Sequence, residues 1–296
     1  MLEYGQIIEG KIYDQNKDYY FVQAEGQSFA LEKSQVEGEN LEKGSLVEGM
    51  IYEDMDRRLM IQVDLPDIRP GIFGWAKVKQ IRRELGVFVD VGLVNKDVVI
   101  SLDDLPDNRR QWPKVDDQVY VTFECDKKQR LWAKLATIEQ MQALFNKAPK
   151  RLMNQDVEVR IVQLKLAGAQ CITKEGYRAF VHESEWILEP HLGECAKGRV
   201  THVHRDGSLN VSLKPRAYEA IDDDAKLLLR LLEKDSEGFL PLHDKSDPEV
   251  IKAYLAISKG QFKRAVGALL KANKIRQVKG QGIYLLTDSI GDEAGE

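Results

Sequence analysis

The sequence predicts a mainly β, multidomain chain: three small five-strand barrels in tandem, then a short helical unit that closes on a β-hairpin. Three observations carry that prediction. Residues 78–135 hold short runs of alternating apolar and polar residues divided by turns, Val87-Phe88-Val89-Asp90-Val91 being the clearest. Similar runs recur upstream over about 1–64 and downstream over about 152–215, so the pattern is an array. From about residue 219 the apolar period changes from two to that of a helix packed by one face.

The first barrel, 1–65, is expected from strand-like runs at Gln6–Tyr13, Tyr19–Ala24, Ser28–Leu31, Leu46–Tyr52 and Arg58–Val63. Pro66 and Pro70 punctuate a short linker. The second barrel, 67–148, ends in an expected helix, Ala133–Asn146, because Leu135, Ile138, Met141, Leu144 and Phe145 recur at helical spacing and Pro149 stops them. The third barrel, 151–216, repeats the plan at Val157–Leu164, Ala169–Thr173, Arg178–His182, Gly198–His204 and Leu209–Leu213. Asp206-Gly207 is a two-residue hairpin signal between its last two strands.

The last unit, 219–288, begins with a helix at Ala225–Leu232 and a short strand at Phe239–Leu242. Ser246-Asp247-Pro248-Glu249 reads as a capping box with proline at the first helical position, starting a helix to about Ile257. A second helix covers Gln261–Lys274 and buries Phe262, Val266 and Leu269/Leu270. Ile275–Val278 and Ile283–Leu286 then flank a hairpin turn. Helix, turn, helix, hairpin is the plan of a winged helix-turn-helix. Residues 289–296 are acidic and lack apolar periodicity, which predicts a disordered tail.

Composition bounds the function. The 296 residues are 43% hydrophobic and 31% charged, and no window approaches the ~18 uninterrupted apolar residues of a spanning helix. The N-terminal Met1-Leu2-Glu3-Tyr4-Gly5-Gln6 is acidic where a signal peptide is basic and apolar. A cytoplasmic protein without a membrane partner is expected. Cys125, Cys171 and Cys195 are odd in number and far apart, which predicts reduced thiols rather than a disulfide framework or a zinc site. The net charge of −5 is unevenly spread. Met1–Asp64 holds 14 acidic against 6 basic residues, whereas Ile251–Leu286 holds 8 Lys or Arg and no Asp or Glu. One end repels phosphate and the other attracts it.

Several residues are placed where a polyanion would need them. Phe88 shares the polar face of its strand with Asp90, as a base-stacking ring would, or else it is covered by interdomain packing. Arg178, Phe180 and His182 share one strand face, offering a phosphate contact, a stacking ring and an adaptable hydrogen-bonding ring; a His182 that merely caps a loop is the alternative. In the C-terminal unit Lys259, Lys263, Arg264, Lys271 and Lys274 on or beside the second helix, with Arg276 and Lys279 in the wing, form a basic surface. Tyr19, Tyr20, Phe21 and Phe29 sit among too many acids for that role and predict core packing or a protein contact at the N-terminal barrel. His202 and His204 face the same way, but only His191 is near enough in sequence to complete a metal site, so no metal or other cofactor is expected. No phosphate loop, His-Glu-x-x-His or Gly-x-Ser-x-Gly recommends an enzyme.

The order of strands over Val78–Leu135 resembles an S1 domain, an OB-fold barrel that binds single-stranded RNA. Asp126 and Arg130 match that family's later polar pair, while Leu85 and Val99 stand where S1 domains usually carry an aromatic and often a His. Phe180-Val181-His182-Glu183-Ser184-Glu185 resembles the S1 signature around its base-contacting His. Three S1-like OB-fold β-barrels followed by a winged helix-turn-helix resemble the conserved virulence factor B family of bacterial S1-domain proteins. The most specific strings are Lys197–Leu213 and Ser258–Gly267 with Ile283-Tyr284-Leu285. The resemblance implies a cytoplasmic RNA-binding protein that affects virulence-factor expression in some pathogens. The resulting expectation is a non-enzymatic regulator that binds single-stranded RNA through the third barrel and the winged helix. A duplex DNA-binding regulator using the Gln261–Lys274 helix is the alternative, and a metal-dependent ribonuclease a third.

Overall fold

The computed structural model describes residues 2–38, 41–214, 217–235, 238–272, 274–278 and 280–286, with only the backbone of 217–222. Lys279 and the expected tail 289–296 lie outside the described residues. The alternation in the first segment becomes β1 (Ile7–Gln15), β2 (Tyr19–Ala24), β3 (Gln27–Glu32), β4 (Leu46–Glu53) and β5 (Leu59–Gln62), closed in the order β1-β2-β3-β5-β4. The second barrel comprises β6 (Gly74–Arg82), β7 (Gly86–Leu93), β8 (Lys96–Ser101), β9 (Gln118–Cys125) and β10 (Leu131–Leu135). The third comprises β11 (Asp156–Lys165), β12 (Gly168–Thr173), β13 (Arg178–His182), β14 (Cys195–Val203) and β15 (Leu209–Ser212).

All three barrels are built alike. Closure comes from a parallel pairing of the third strand with the fifth: Ala30 opposite Met60, Val99 opposite Trp132 and Phe180 opposite Asn210. The first strand of each slips register at the same point, between Ile12 and Asp14, Val78 and Gln80, and Ile161 and Gln163. Such a bulge bends a strand enough to pair on both sides of a closed barrel. Inside lie the alternate apolar residues, Val87, Val89 and Ile100 in the second barrel and Ile161, Val181 and Val211 in the third.

Residues 133–146 correct the expected helix. Ala133 is fully buried in β10, which pairs in parallel with β8 and antiparallel with β9, and beyond it lie only a turn closed by the Met141 N–H on the Thr137 carbonyl and the tight turn Gln142–Leu144. Closing the barrel removes two open strand edges, a larger gain than a few apolar residues at helical spacing can offer. Ile138 and Met141 are nonetheless buried, as loop residues.

The chain divides into two compact units, Met1–Lys214 and Pro215–Glu296. Within the first, barrels one and two share a core: Met50, Tyr52 and Met60 pack in one cluster with Val89, Val91 and Leu93. The Tyr52 hydroxyl donates to the Val94 carbonyl at 2.8 Å, and burial raises its pKa. The Gln62 amide donates to the Gly92 carbonyl at 2.9 Å and accepts from the Val94 N–H at 3.0 Å. Barrels two and three are joined by the Leu192 N–H donating to the Gln111 carbonyl and by buried His191, which lies 2.9 Å from Asp117 and 2.7 Å from Glu194.

The second unit is a winged helix: α1 (Ala217–Lys234), β16 (Phe239–Leu240), α2 (Pro248–Leu255), α3 (Lys259–Lys271), β17 (Ile275–Val278) and β18 (Gly282–Leu285), the sheet ordered β16-β18-β17. Leu228, Leu232, Ile251, Phe262 and Ile283 are its fully buried centre. Several details depart from expectation, and α1 starts eight residues before Ala225. The cap of α2 is Asp247, accepting from the Glu249 N–H, and the reciprocal capping box is at Ser258 and Gln261 instead. That box starts α3 two residues early, and the helix stops at Lys271, so Lys274 lies beyond it. Leu270 is 37% exposed rather than buried, because Phe262, Ala265, Val266 and Leu269 already fill the inward stripe. No described helix is long and apolar enough to cross a membrane.

Candidate nucleic-acid interface

The third barrel gathers its polar and aromatic residues on one outer row. Strand register sets Gln163 opposite Gln170, Gln170 opposite Phe180, Phe180 opposite Asn210, and Asn210 opposite His202. The row therefore crosses all five strands with Phe180 at its middle. Arg178 and His182 flank that ring two residues away on the same face, while Ala179 and Val181 point into the core. The inward pair fixes β13, so the outward three cannot turn away without unpacking the barrel.

Each side chain is held. The Arg178 guanidinium lies 6.0 Å from the Phe145 ring and donates from Nε to Gln170 Oε1 at 3.4 Å. His182 accepts the Ser184 N–H at Nδ1, capping the turn 183–185. A ring that accepts at Nδ1 carries its proton on Nε2, so capping and donation to a ligand are compatible. His204 bonds Asn210 at 3.0 Å and meets His202 edge-on at 4.7 Å. A cleft of about 230 Å³ opens between Gln170, Arg178, Phe180, His204 and Asn210. The N–H and hydroxyl of Ser208 lower the pKa of Asp206 at its rim, which accords with its role in the hairpin turn.

Gly168 makes room for this arrangement. Its φ is +151°, and a Cβ there would lie 2.2 Å from the Val181 carbonyl and 2.8 Å from the tip of the Phe180 ring. Gly168→Val is expected to cost about 2 kcal/mol or more in stability and to displace Phe180. Urea unfolding with the intrinsic signal of the full chain measures it; an unchanged midpoint contradicts the assignment.

The second barrel carries an equivalent row: Gln80, Phe88, Val99, Trp132 and Glu124. Phe88 is half-buried with the Arg82 guanidinium 5.1 Å above it, and Trp132 lies under Arg130 at 5.2 Å. Trp132 and Arg82 are absent from the sequence-based candidates. The signal for Trp132 was the alternation Leu131-Trp132-Ala133-Lys134-Leu135, hidden by the helical reading of the same stretch. Asp126 turns out to be a local clamp: it accepts from the Lys128 and Arg130 N–H groups, from the Arg130 guanidinium and from Trp132 Nε1 at 3.0 Å. It thus aims Arg130 and Trp132.

The hydrogen bonds from Arg130, ahead of those from Trp132 and Lys128, hold the Asp126 carboxyl far below the usual range. A depressed folded value means the clamp is complete above the ordinary carboxyl range and is lost only as pH falls through the lower folded value. Asp126 is expected to stay ionised from neutrality down to about pH 3. Following its side-chain carboxyl carbon by NMR tests this, and a midpoint near 4 contradicts it.

In the first barrel the same row, Asp14, Phe21, Ala30, Met60 and Tyr52, is closed off at the end that holds Met60 and Tyr52, while Asp14 is exposed and Phe21 half-buried. Met60 and Tyr52 are buried against barrel two, and Phe29 belongs to the barrel's own core. On α3, Lys263, Arg264 and Lys271 are exposed, as are Lys274 and Arg276 after it. Lys259 is half-buried, and its ammonium donates to the Ser246 carbonyl at 2.8 Å, so packing uses it. His191, held by its two carboxylates, is not grouped with His202 and His204, and no cluster of three metal-ligand side chains occurs among the described residues.

Comparison with known proteins agrees with this architecture. Conserved virulence factor B of Staphylococcus haemolyticus is 37% identical over 248 residues, covering 83% of this chain and 82% of that protein. The chain belongs to the conserved virulence factor B family. The family's first S1-like domain matches residues 73–134, its second domain 141–215 and its winged helix domain 226–285, while an S1 domain matches 4–62. Another relative, the uncharacterized protein YitL of Bacillus subtilis, is 35% identical over 90% of this chain and 89% of its own length. A crystal structure of a multidomain protein with nucleic acid binding domains from Streptococcus pneumoniae matches with TM-score 0.68 and 41% identity, covering 96% of this chain and 98% of that one.

Proposed function

We propose that this protein is a non-enzymatic, cytoplasmic RNA-binding regulator of gene expression that holds single-stranded RNA on the outer row of its third barrel and on its basic winged unit. The observation that carries the reading is Phe180 at the centre of a polar row, flanked by Arg178 and His182. Bases stack on Phe180, amides and imidazoles meet their edges, and Arg178 meets a phosphate. Family membership and a similar structure described as having nucleic acid binding domains support the same class. Barrel one, with Met60 and Tyr52 of its row covered, serves as a docked support for barrel two rather than as a third RNA site.

Duplex DNA is the weaker reading. Gln261 at the start of α3 is spent on the Ser258 cap and on Asp224, which leaves no amide on the described part of that helix to read adenine. Competition for the full chain between a labelled single-stranded RNA and unlabelled duplex DNA separates the two. The RNA reading expects RNA competitor to displace the label at far lower concentration than duplex, with affinity falling steeply as salt rises. Equal competition by duplex contradicts it.

A further inference from the structure

We infer that the outer face of the winged unit's sheet is a base-stacking platform for single-stranded nucleic acid, separate from helix α3. The inference rests on the RNA-binding reading above and assigns a site within it. Register sets Phe239 of β16 opposite Tyr284 of β18, and Tyr284 opposite Arg276 of β17, one straight row across the sheet. The two rings lie 4.6 Å apart, tilted by 34°, and the Arg276 guanidinium stands 4.9 Å over Tyr284. The alternate residues Leu240, Ile283 and Ile275 are buried on the other face, so the row is turned away from the hydrophobic centre of its unit. Arg276 is exposed and both rings keep part of their surface.

The row also has a prepared floor. A Cβ at Gly282 would lie 2.2 Å from the Leu240 carbonyl and 2.6 Å from the Phe239 ring, so glycine here serves both the approach of β16 to β18 and the ring's place beside Tyr284. Along β17 and β18 the chemistry suits a polyanion, since Ile251–Leu286 contains no acidic residue and exposed Lys271 and Lys274 precede β17, while at β16 the Asp235 carboxylate accepts the Phe239 N–H at 3.1 Å. Aromatic rings set side by side on a sheet, with an arginine at the end of the row, accept successive bases by stacking while the cation meets the backbone. A duplex hides its base faces, so the occupant is a single strand.

The test uses the full chain, a single-stranded RNA oligonucleotide, and the same sugar–phosphate strand lacking its bases. Tyr284→Val and Phe239→Val, which keep a strand-forming residue, are each expected to weaken RNA binding about tenfold, with base-free strand binding unchanged and Tyr284→Phe like the parent. Crosslinking of a 5-iodouridine oligonucleotide to the unsubstituted chain needs no variant and is expected to mark Tyr284 or Phe239. Parent-like RNA affinity in both valine variants, equal loss on both strands, or crosslinks that avoid both rings overturns the platform. An unsubstituted chain that binds no single-stranded RNA overturns the RNA reading itself.

Discussion

Phe180→Ala lowers the affinity of the full chain for single-stranded RNA by about 1–3 kcal/mol, the worth of one stacked base. The ring stands on the outside of β13, half-buried, while the residues on either side of it anchor the strand in the barrel core. Its removal therefore empties a contact without opening the core, and stability should change far less than binding. Phe180→Tyr keeps the stack and should bind like the parent. Arg178→Ala should act differently, weakening all single strands and reducing the salt slope by about one, as loss of one phosphate contact does. Fluorescence anisotropy at two salt concentrations distinguishes these signatures; a Phe180→Ala protein with parent affinity rules the row out as a stacking surface.

Tyr52→Ala destabilises the joint between the first two barrels by about 3–5 kcal/mol, the usual cost of deleting a buried aromatic ring. Tyr52 is fully buried among residues of both barrels, and its hydroxyl is bonded to the Val94 carbonyl across the joint. Tyr52→Phe keeps the ring and leaves that carbonyl short of one donor, for which about 1 kcal/mol is expected. Urea unfolding gives both values, and faster proteolysis near the linker at Pro66 and Pro70 should accompany the alanine variant. Because this joint is remote from Phe180, RNA affinity should be unchanged in Tyr52→Ala while the protein remains folded. A parallel fall in RNA affinity would mean that barrel one shares in binding.

These expectations draw unequally on sequence and structure. The strands of the barrels were legible because one face of each is buried, which forces period two and identifies Phe88 and Phe180 as outward rings without coordinates. Residues 133–146 read as a helix because apolar spacing alone cannot distinguish a helix from a closing strand followed by a loop whose Ile138 and Met141 are buried; Trp132 stands just before them, in a strand which that reading cuts short. The Asp126–Arg130 pair was visible as a pair, but its bonding to Trp132 was not, since that depends on a tight turn at Gln129, which has positive φ. Tyr52 and Gln62 gave no signal of their joint role, because packing between barrels is set by residues some 30–40 positions away. Lys259 illustrates the same limit: a lysine at a helix start looks solvated until the carbonyl it reaches is in view.

Photo-crosslinking of the full chain to cellular RNA, with mapping of the crosslinked peptides, tests the central claim most directly. The account predicts adducts concentrated in the peptides that carry Phe180, His182 and His202, with a second group in the winged unit, and none in barrel one. Crosslinks confined to barrel one, or the absence of any in residues 168–204, would contradict it.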